Sequence, residues 1–213
     1  MNFIYSEERI RAFSNSLHFG PVLDLVEDMS RRYERPLQIL DVGCASGAFS
    51  AMLALRQINN IQYSGIDMSI SRLSEGRKYY EIENLIQADC LNLPFLSNSF
   101  DIVMAMGVLY TMPSPAEAIH ELLRVCRGLC VINTLGVPAG SNSEYRRGIM
   151  GENHRITLLN PAHWKDFLQK YNLPVPDRSL AWAVPTNTKG TYPVYRGGDY
   201  RLEWLHIWRM PDA

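Results

Sequence analysis

Short apolar runs separated by segments of helical periodicity occupy most of the chain. Residues Leu37–Val42 are mainly apolar and lead into a glycine, which predicts a buried strand. Four similar runs predict strands at Ile61–Ile66, Leu85–Ala88, Phe100–Met106 and Leu129–Leu135. Because helical segments alternate with these runs, the pattern predicts a parallel sheet with helices on both of its faces.

Helical periodicity covers the segments before and between these strands. Residues 1–36 are predicted to be helical up to Pro36, which ends the helix. Ser114 and Pro115 are typical of the first positions of a helix and predict one over Pro115–Val125. Two shorter helices are predicted at Ala48–Arg56 and Ser69–Tyr80.

The last third of the chain has a different pattern. Pro138–Thr157 is polar and is predicted to be irregular, and Asn160-Pro161 is predicted to cap a further helix. Leu180–Val184 and Arg201–Met210 predict two strands with no helix between them, which should pair antiparallel at a sheet edge. The predicted fold class is therefore α/β: a doubly wound, mostly parallel seven-stranded sheet with an antiparallel edge hairpin.

We expect residues 1–213 to form one domain in three parts. Residues 1–36 would be a helical cap, residues 37–135 the core, and residues 136–213 a covering segment with the edge strands. Hydrophobic residues make up 46% of the chain, enough to support folding. The 22 acidic and 21 basic residues give a net charge of −1, which disfavours nucleic acid as a partner.

The sequence also predicts a cytoplasmic protein. Its longest apolar stretch, Ile102–Tyr110, is much shorter than the roughly 20 residues of a membrane-spanning helix. Glu7 and Glu8 stand where a secretion signal would be basic and then apolar. Four cysteines are too few for a disulfide scaffold of this size, and Cys126 and Cys130 lack the second pair of a zinc site. We therefore expect reduced cysteines, no membrane contact and no metal.

The candidate chemistry follows the first predicted strand. There the chain reads Ile39-Leu40-Asp41-Val42-Gly43-Cys44-Ala45-Ser46-Gly47-Ala48-Phe49-Ser50, a strand, a loop of small residues and the start of a helix. Gly43 permits the turn, and Ala45 and Gly47 would leave room for a ligand against the backbone. Such a ligand would meet free amide N–H groups at the helix N-terminus.

The residues around this loop favour a cationic ligand over a dinucleotide. A dinucleotide fingerprint that begins at Gly43 needs glycines at positions 45 and 48, and both are alanine. Asp41 would repel a pyrophosphate but suits a positively charged ligand. An alternative role for Asp41 is to cap the helix that follows the loop.

The loop resembles the first motif of the class I S-adenosylmethionine-dependent methyltransferases, an acid followed by alternating glycines. Here the motif is Asp41-Val42-Gly43-Cys44-Ala45-Ser46-Gly47, with alanine for the middle glycine. The resemblance covers about residues 37–135 and includes three later motifs at strand ends. These are Gly65-Ile66-Asp67-Met68-Ser69, Gln87-Ala88-Asp89-Cys90-Leu91-Asn92-Leu93-Pro94-Phe95, and Ser99-Phe100-Asp101-Ile102-Val103 leading to Gly107-Val108-Leu109-Tyr110.

The resemblance implies a Rossmann-like methyltransferase fold with S-adenosyl-L-methionine as cofactor. Asp67 would accept both ribose hydroxyls, Asp89 would bind the adenine amino group, and the backbone N–H of Cys90 would meet the adenine ring. Capping of the next helix by Asp67 and a surface turn at Asp89 are the alternatives, and Asp101 is expected to be structural. The implied cofactor-binding set is Asp41, Gly43, Cys44, Ala45, Gly47, Asp67, Met68, Asp89, Cys90 and Met106.

The candidate catalytic residues are Tyr110 and His154. Methyl transfer from a sulfonium depends mainly on alignment, and a general base is needed only for an acceptor that is protonated at working pH. Tyr110 stands where many relatives have an acid or a histidine, and His154 lies in the polar segment after the fifth strand. An ordinary loop histidine is the alternative for His154.

The resemblance implies an enzyme that methylates an oxygen or nitrogen of a small-molecule acceptor, such as a sugar or another hydroxylated metabolite. The alternative functions are a non-catalytic S-adenosylmethionine-binding relative and an NAD-dependent oxidoreductase.

Overall fold

A computed structural model describes residues 5–112, 114–135, 145–150, 154–159, 163–185 and 200–211. For Tyr110 and for residues 134–135, 145–150, 154–159, 181–185 and 200–204 it describes the backbone alone. In these ranges the strands are β1 (Leu37–Val42), β2 (Ile61–Asp67), β3 (Leu85–Gln87), β4 (Phe100–Ala105), β5 (Cys126–Leu135), β6 (Tyr145–Met150), β7 (His154–Leu159), β8 (Arg178–Pro185) and β9 (Tyr200–Arg209). The helices are α1 (Glu7–Ser14), α2 (Gly20–Arg32), α3 (Ala48–Leu55), α4 (Ile70–Tyr79), α5 (Pro115–Val125) and α6 (Trp164–Lys170), with a 3-10 turn at Leu109–Thr111.

Seven strands form one sheet in the order β3-β2-β1-β4-β5-β9-β8. Strands β1 to β5 pair with one another in parallel, whereas β9 is antiparallel to both β5 and β8. The predicted α/β fold class, with its mostly parallel sheet and antiparallel edge hairpin, is confirmed. The predicted bounds of β1 and α5 agree with the structure at both ends.

Two predictions about secondary structure are wrong, and a third concerns residues outside the described ranges. The N-terminal helix is two helices, because Pro21 near the start of α2 has no N–H to donate and its ring blocks a continuous helix. The segment predicted to be irregular contains β6 and β7, which form a separate antiparallel ribbon. Helix α6 begins at Trp164 with His163 at the N-cap; Asn160 and Pro161, the predicted cap, lie outside the described residues.

Alternate residues of the central strands form two cores, one on each face of the sheet. On one face Ile39, Ile102 and Val131 pack against α1, α2 and α3. On the other face residues such as Leu40 and Val103 pack against α5 and α6. Both faces of the parallel strands are therefore covered, and ligand access is favoured at the ends of the strands.

Asp101 joins three strands at the beginning of β1, far from the strand ends where the motifs lie. Arg35 donates two hydrogen bonds of 2.6 and 2.7 Å to the carboxylate, and Arg127 donates two more of 2.8 and 3.1 Å. The backbone N–H of Gln38 donates a fifth at 2.9 Å. Burial alone would raise the pKa of Asp101, but these hydrogen bonds outweigh it and hold the pKa well below its ordinary value. This network agrees with the structural role expected for Asp101.

Candidate functional site

The sequence motifs meet where the parallel strands end. Asp41 pairs in register with Gly65 on β2, and Asp67 at the end of β2 pairs with Gln87 on β3. Because the chain leaves each parallel strand at the same edge of the sheet, the loops after β1, β2, β3 and β4 gather there. This edge is where ligands bind in doubly wound sheets.

Residues 43–47, the glycine loop, turn the chain from β1 into α3 with an unusual backbone. Gly43, Ala45 and Gly47 have φ values of 74°, 53° and 74°, in the left-handed region that favours glycine. A Cβ atom on Gly43 would come within 2.6 Å of the Val108 side chain, and one on Gly47 within 2.5 Å of Ile82. Ile82 thus fills the space that a side chain at position 47 would occupy, and the role of Gly47 in ligand binding stays a prediction.

The backbone amides of the glycine loop are used within the protein. Gly43 and Cys44 both donate to the carbonyl of Ile66, and Gly47 donates to the carbonyl of Cys44. The N–H of Ala45 donates to the carboxylate of Asp67 at 2.9 Å. The expectation that a ligand would meet free amide groups here is wrong for these residues, because three of the amides donate to the end of β2 and that of Gly47 donates within the loop.

Replacing Ala45 with glycine is expected to leave the free energy of unfolding unchanged or to raise it by up to about 1.5 kcal/mol. Relief of left-handed strain contributes about 1–2 kcal/mol, and the greater freedom of glycine in the unfolded chain offsets about 0.4–1 kcal/mol of it. Urea denaturation measures the difference. Gln57→Gly is the matched control, because Gln57 also has a positive φ, of 56°, but lies outside the loop. A loss of more than about 1 kcal/mol in Ala45→Gly alone would contradict the strain argument.

Asp41 is a buried carboxylate with a single described side-chain hydrogen bond. Its side chain lies on the face that carries α3, the residue is 5% exposed, and the Tyr63 hydroxyl donates to Oδ2 at 2.7 Å. Burial raises the pKa of Asp41 to about 7, against the opposing effect of the Tyr63 hydrogen bond and with a further increase from Asp67. Gly47, not Asp41, is the N-cap of α3, so the capping alternative is excluded.

Asp67 connects the glycine loop to the start of α4. Its Oδ2 accepts the N–H of Ala45 and its Oδ1 accepts the N–H of Ser69 at 2.8 Å. The N-cap of α4 is Ser69, whose hydroxyl accepts the N–H of Arg72, so Asp67 is not the cap. Each carboxylate oxygen has two lone pairs, and both oxygens keep capacity for ligand hydroxyls.

The other cofactor candidates lie along the same edge in different surroundings. Met68 is 65% exposed, while Met106 is half-buried. Asp89 is exposed and accepts the N–H of Leu91 at 3.0 Å, so it does form the turn that was its alternative role. Cys90 is buried, and burial raises the pKa of its thiol to about 11. The turn at Asp89 uses one oxygen and does not prevent contact with a ligand.

The two catalytic candidates lie in neighbouring elements. Tyr110 belongs to the 3-10 turn after β4, and His154 is the first residue of β7. The backbone of β7 lies against that turn and against β5. The side chains of Tyr110 and His154 lie outside the described part of the structure, as do the residues that join β5 to β6.

Tyr63 is the residue that the motifs did not identify. It contacts Asp41 directly, and its hydroxyl lies 3.5 Å from the position of a Cβ on Gly47. The signal was present in the strand alternation, because Tyr63, Gly65 and Asp67 share one face of β2 and Gly65 pairs with Asp41. Reading β2 together with β1 would have placed a phenol beside the first motif.

Among the described residues, no helix is long and apolar enough to cross a membrane. The same residues contain no group of three or more His, Cys, Asp or Glu side chains arranged to hold a metal ion.

Known proteins share the fold of this chain or part of its sequence. A solved structure of a Bacillus halodurans protein has a TM-score of 0.60 and 16% identity, and the match covers 90% of this chain and 100% of that one. An uncharacterized chloroplastic methyltransferase of Arabidopsis thaliana is 32% identical over 141 residues, 60% of this chain and 39% of the relative. The malonyl-(acyl-carrier protein) O-methyltransferase of Legionella pneumophila is 35% identical over 119 residues, 50% of this chain and 42% of the relative.

The sheet order and the glycine loop define the class I methyltransferase fold. Residues 40–131, which are less than half of the chain, match the family described as a methyltransferase domain. The resemblance drawn from the motifs is confirmed. The chain spans less than half the length of the two curated relatives.

Proposed function

We propose that the protein transfers a methyl group from S-adenosyl-L-methionine to an oxygen or nitrogen of a small-molecule acceptor. The observation that carries the proposal is the buried Asp41 carboxylate at the glycine loop of a methyltransferase domain. None of the positively charged side chains in the described ranges hydrogen bonds to it. A buried carboxylate in such a position suits a ligand that brings its own positive charge.

The residues at this edge fit the parts of the cofactor. The sulfonium and ammonium groups would be attracted to Asp41. The two ribose hydroxyls would donate hydrogen bonds to the carboxylate oxygens of Asp67. The exposed Met68 offers an apolar surface for a flat ring, beside the turn that Asp89 forms. When bound, the cofactor supplies a methyl group on a positively charged sulfur, ready for direct displacement.

The chain's own contribution would be position and shielding. The ribbon of β6 and β7 lies against the 3-10 turn, and so it would cover the acceptor and exclude water. Tyr110 and His154 are the proposed proton acceptors for a protonated acceptor oxygen or nitrogen. Holding the acceptor in line with the methyl group would supply a large part of the rate enhancement.

An oxygen acceptor is the first choice. The Legionella relative is named as an O-methyltransferase, and its match covers half of this chain. We do not assign the acceptor of that relative to this protein, because the match covers less than half of the relative. The small-molecule class is supported by the two-stranded ribbon, whose β7 lies against the 3-10 turn after β4, and by the near-neutral net charge.

Ligand binding followed by a transfer assay tests this function. Isothermal titration calorimetry with S-adenosylhomocysteine should show binding, and NADH should give none. Transfer of radiolabelled methyl from S-adenosylmethionine to one member of a metabolite panel should follow. Binding of NADH alone would favour an oxidoreductase, and cofactor binding without transfer to any acceptor would favour a non-catalytic relative.

Asp67→Ala is expected to weaken S-adenosylhomocysteine binding by about 1.5–3 kcal/mol, the range for hydrogen bonds to a charged group. Calorimetry on both proteins measures the change. Since Asp67 also holds the glycine loop, the control compares 5′-methylthioadenosine with its 2′,3′-dideoxy analogue. Removing the hydroxyls should weaken binding to the wild type and have little effect on the variant. An equal loss in both proteins would show that Asp67 does not bind the ribose.

A further inference from the structure

Two buried aspartates on neighbouring strands of this sheet have opposite surroundings. Asp101 on β4 is 1% exposed and receives hydrogen bonds from the guanidinium groups of Arg35 and Arg127. Asp41 on β1 is 5% exposed and receives one described side-chain hydrogen bond, from the uncharged hydroxyl of Tyr63. The protein thus neutralises one buried carboxylate fully and leaves the other without a positive partner among the described residues.

Among the described residues, the titratable groups that act on Asp41 are all acids. Tyr63 and Asp67 lie on β2, and Cys44 lies in the glycine loop, where the charges of Asp41 and Asp67 both oppose ionisation of its thiol. Burial therefore raises the pKa of Asp41, and Asp67 raises it further, to about 7. A proton, or a cation brought by a ligand, would neutralise the negative charge of the Asp41 carboxylate.

We propose that binding of the cofactor's amino-acid moiety releases a proton from Asp41, and that Tyr63 is the positioning residue that holds the carboxylate ready for this exchange. The inference rests on the proposed cofactor site. Below about pH 7 the proton would occupy Asp41 in most molecules of the ligand-free protein, and in the complex the ligand's ammonium group would replace it. The O–H bond of the carboxylic acid breaks, the proton goes to the solvent buffer, and no other bond changes.

The direction of the pH dependence follows from this exchange. A ligand cation lowers the pKa of Asp41 in the complex relative to the free protein, so the affinity rises with pH and levels off above the pKa of the free protein. Because that pKa is about 7, the gain occurs around neutral pH. Tyr63 donates to the ionised form, so its removal raises the pKa of the free protein and moves the plateau to higher pH.

Calorimetry with S-adenosylhomocysteine in buffers of different ionisation enthalpy measures both the affinity and the protons released. From roughly pH 5.5 to roughly pH 8.5, we expect the affinity of the wild type to rise and the proton release to fall from nearly one toward zero. 5′-Methylthioadenosine, which lacks the amino-acid moiety and its ammonium group, should bind without releasing a proton. Tyr63→Phe should move the midpoint of the pH dependence of affinity upward by about one pH unit. Asp41→Asn should abolish the proton release.

Tyr33→Phe is the matched control, because Tyr33 lies before the start of β1 at the opposite end of the sheet. It should leave the midpoint unchanged. The proposal is overturned if S-adenosylhomocysteine binds with equal affinity across this pH range, or if Tyr63→Phe folds and binds with the wild-type midpoint. Absence of binding at every pH would instead overturn the proposed cofactor site, so the two failures are distinguishable.

Discussion

Replacing Asp101 with alanine is expected to lower the free energy of unfolding by about 3 kcal/mol. Removal of one partner of a buried ion pair typically costs about 3–5 kcal/mol, because charges remain without a partner. The lower end applies here, since the side chains of Arg35 and Arg127 are 49% and 35% exposed and can turn toward water. For a chain of this length the loss corresponds to a fall in Tm of roughly 10 °C, measurable by circular dichroism.

Asp41→Asn is the control for this variant, because it changes the other buried aspartate of the central strands. Asp41 has no guanidinium partner among the described residues, and its raised pKa means that a neutral side chain is tolerated near pH 7. We expect the free energy of unfolding to change by less than about 1 kcal/mol in Asp41→Asn. An equal loss of free energy of unfolding in the two variants would contradict this distinction, in which Asp101 is neutralised by guanidinium groups and Asp41 is not.

The contribution of Asp101 should also depend on pH. Because the pKa of Asp101 is lowered in the folded protein, its contribution is present above the ordinary aspartate value of about 4 and is lost as the pH falls below it. The difference in free energy of unfolding between the wild type and Asp101→Asn should therefore narrow between about pH 6 and about pH 3. A constant difference over that range would show that the ion pairs contribute little.

The sheet was predictable because its strands are buried on both faces. Short, mainly apolar runs such as Leu37–Val42 are typical of such strands, and their alternation with helices favours a parallel sheet, although it does not determine the strand order. The ribbon of β6 and β7 was missed because its two strands pair with each other and need no apolar run. The break before α2 had a signal in Gly20-Pro21, which the amphipathic spacing of the helix obscured.

The site was predictable only as far as sequence spacing determines position. The motifs place Asp41 and Asp67 at strand ends, since parallel strands end at one edge of the sheet. The direction of the loop amides depends on left-handed φ values at Gly43, Ala45 and Gly47, and an alanine gives no indication of such a conformation. The hydrogen bond of Tyr63 to Asp41 joins two strands and becomes visible only when their register is known.

Gly76→Val is expected to destabilise the protein by at least about 2 kcal/mol and to weaken cofactor binding. Gly76 lies inside α4, where a Cβ would approach the backbone carbonyl oxygen of Ser46 to 2.4 Å and a methyl of Leu85 to 2.8 Å. The obstacle is a backbone atom of the glycine loop, which cannot turn aside as a flexible side chain can. Any side chain at position 76 must therefore push α4 away from the loop that would hold the cofactor.

Helix propensity predicts that alanine at position 76 stabilises the protein, whereas packing predicts that it destabilises it. The free energy of unfolding of Gly76→Ala shows which effect is larger. In a solvent-facing helix, glycine to alanine stabilises by about 1 kcal/mol, whereas a forced contact with backbone costs about 1–3 kcal/mol. We expect packing to prevail, so that urea denaturation shows Gly76→Ala less stable than the wild type and more stable than Gly76→Val.

Ser74→Ala provides the control on the exposed face of the same helix, where the hydroxyl bonds only to the carbonyl of Ile70. It should change the free energy of unfolding by less than about 0.5 kcal/mol and leave S-adenosylhomocysteine binding unchanged. A stabilised Gly76→Ala with unchanged binding would mean that α4 does not press on the glycine loop. Destabilisation together with weaker binding would show that the close approach of this helix sets the shape of the loop, because Ser46 is the group that both effects share.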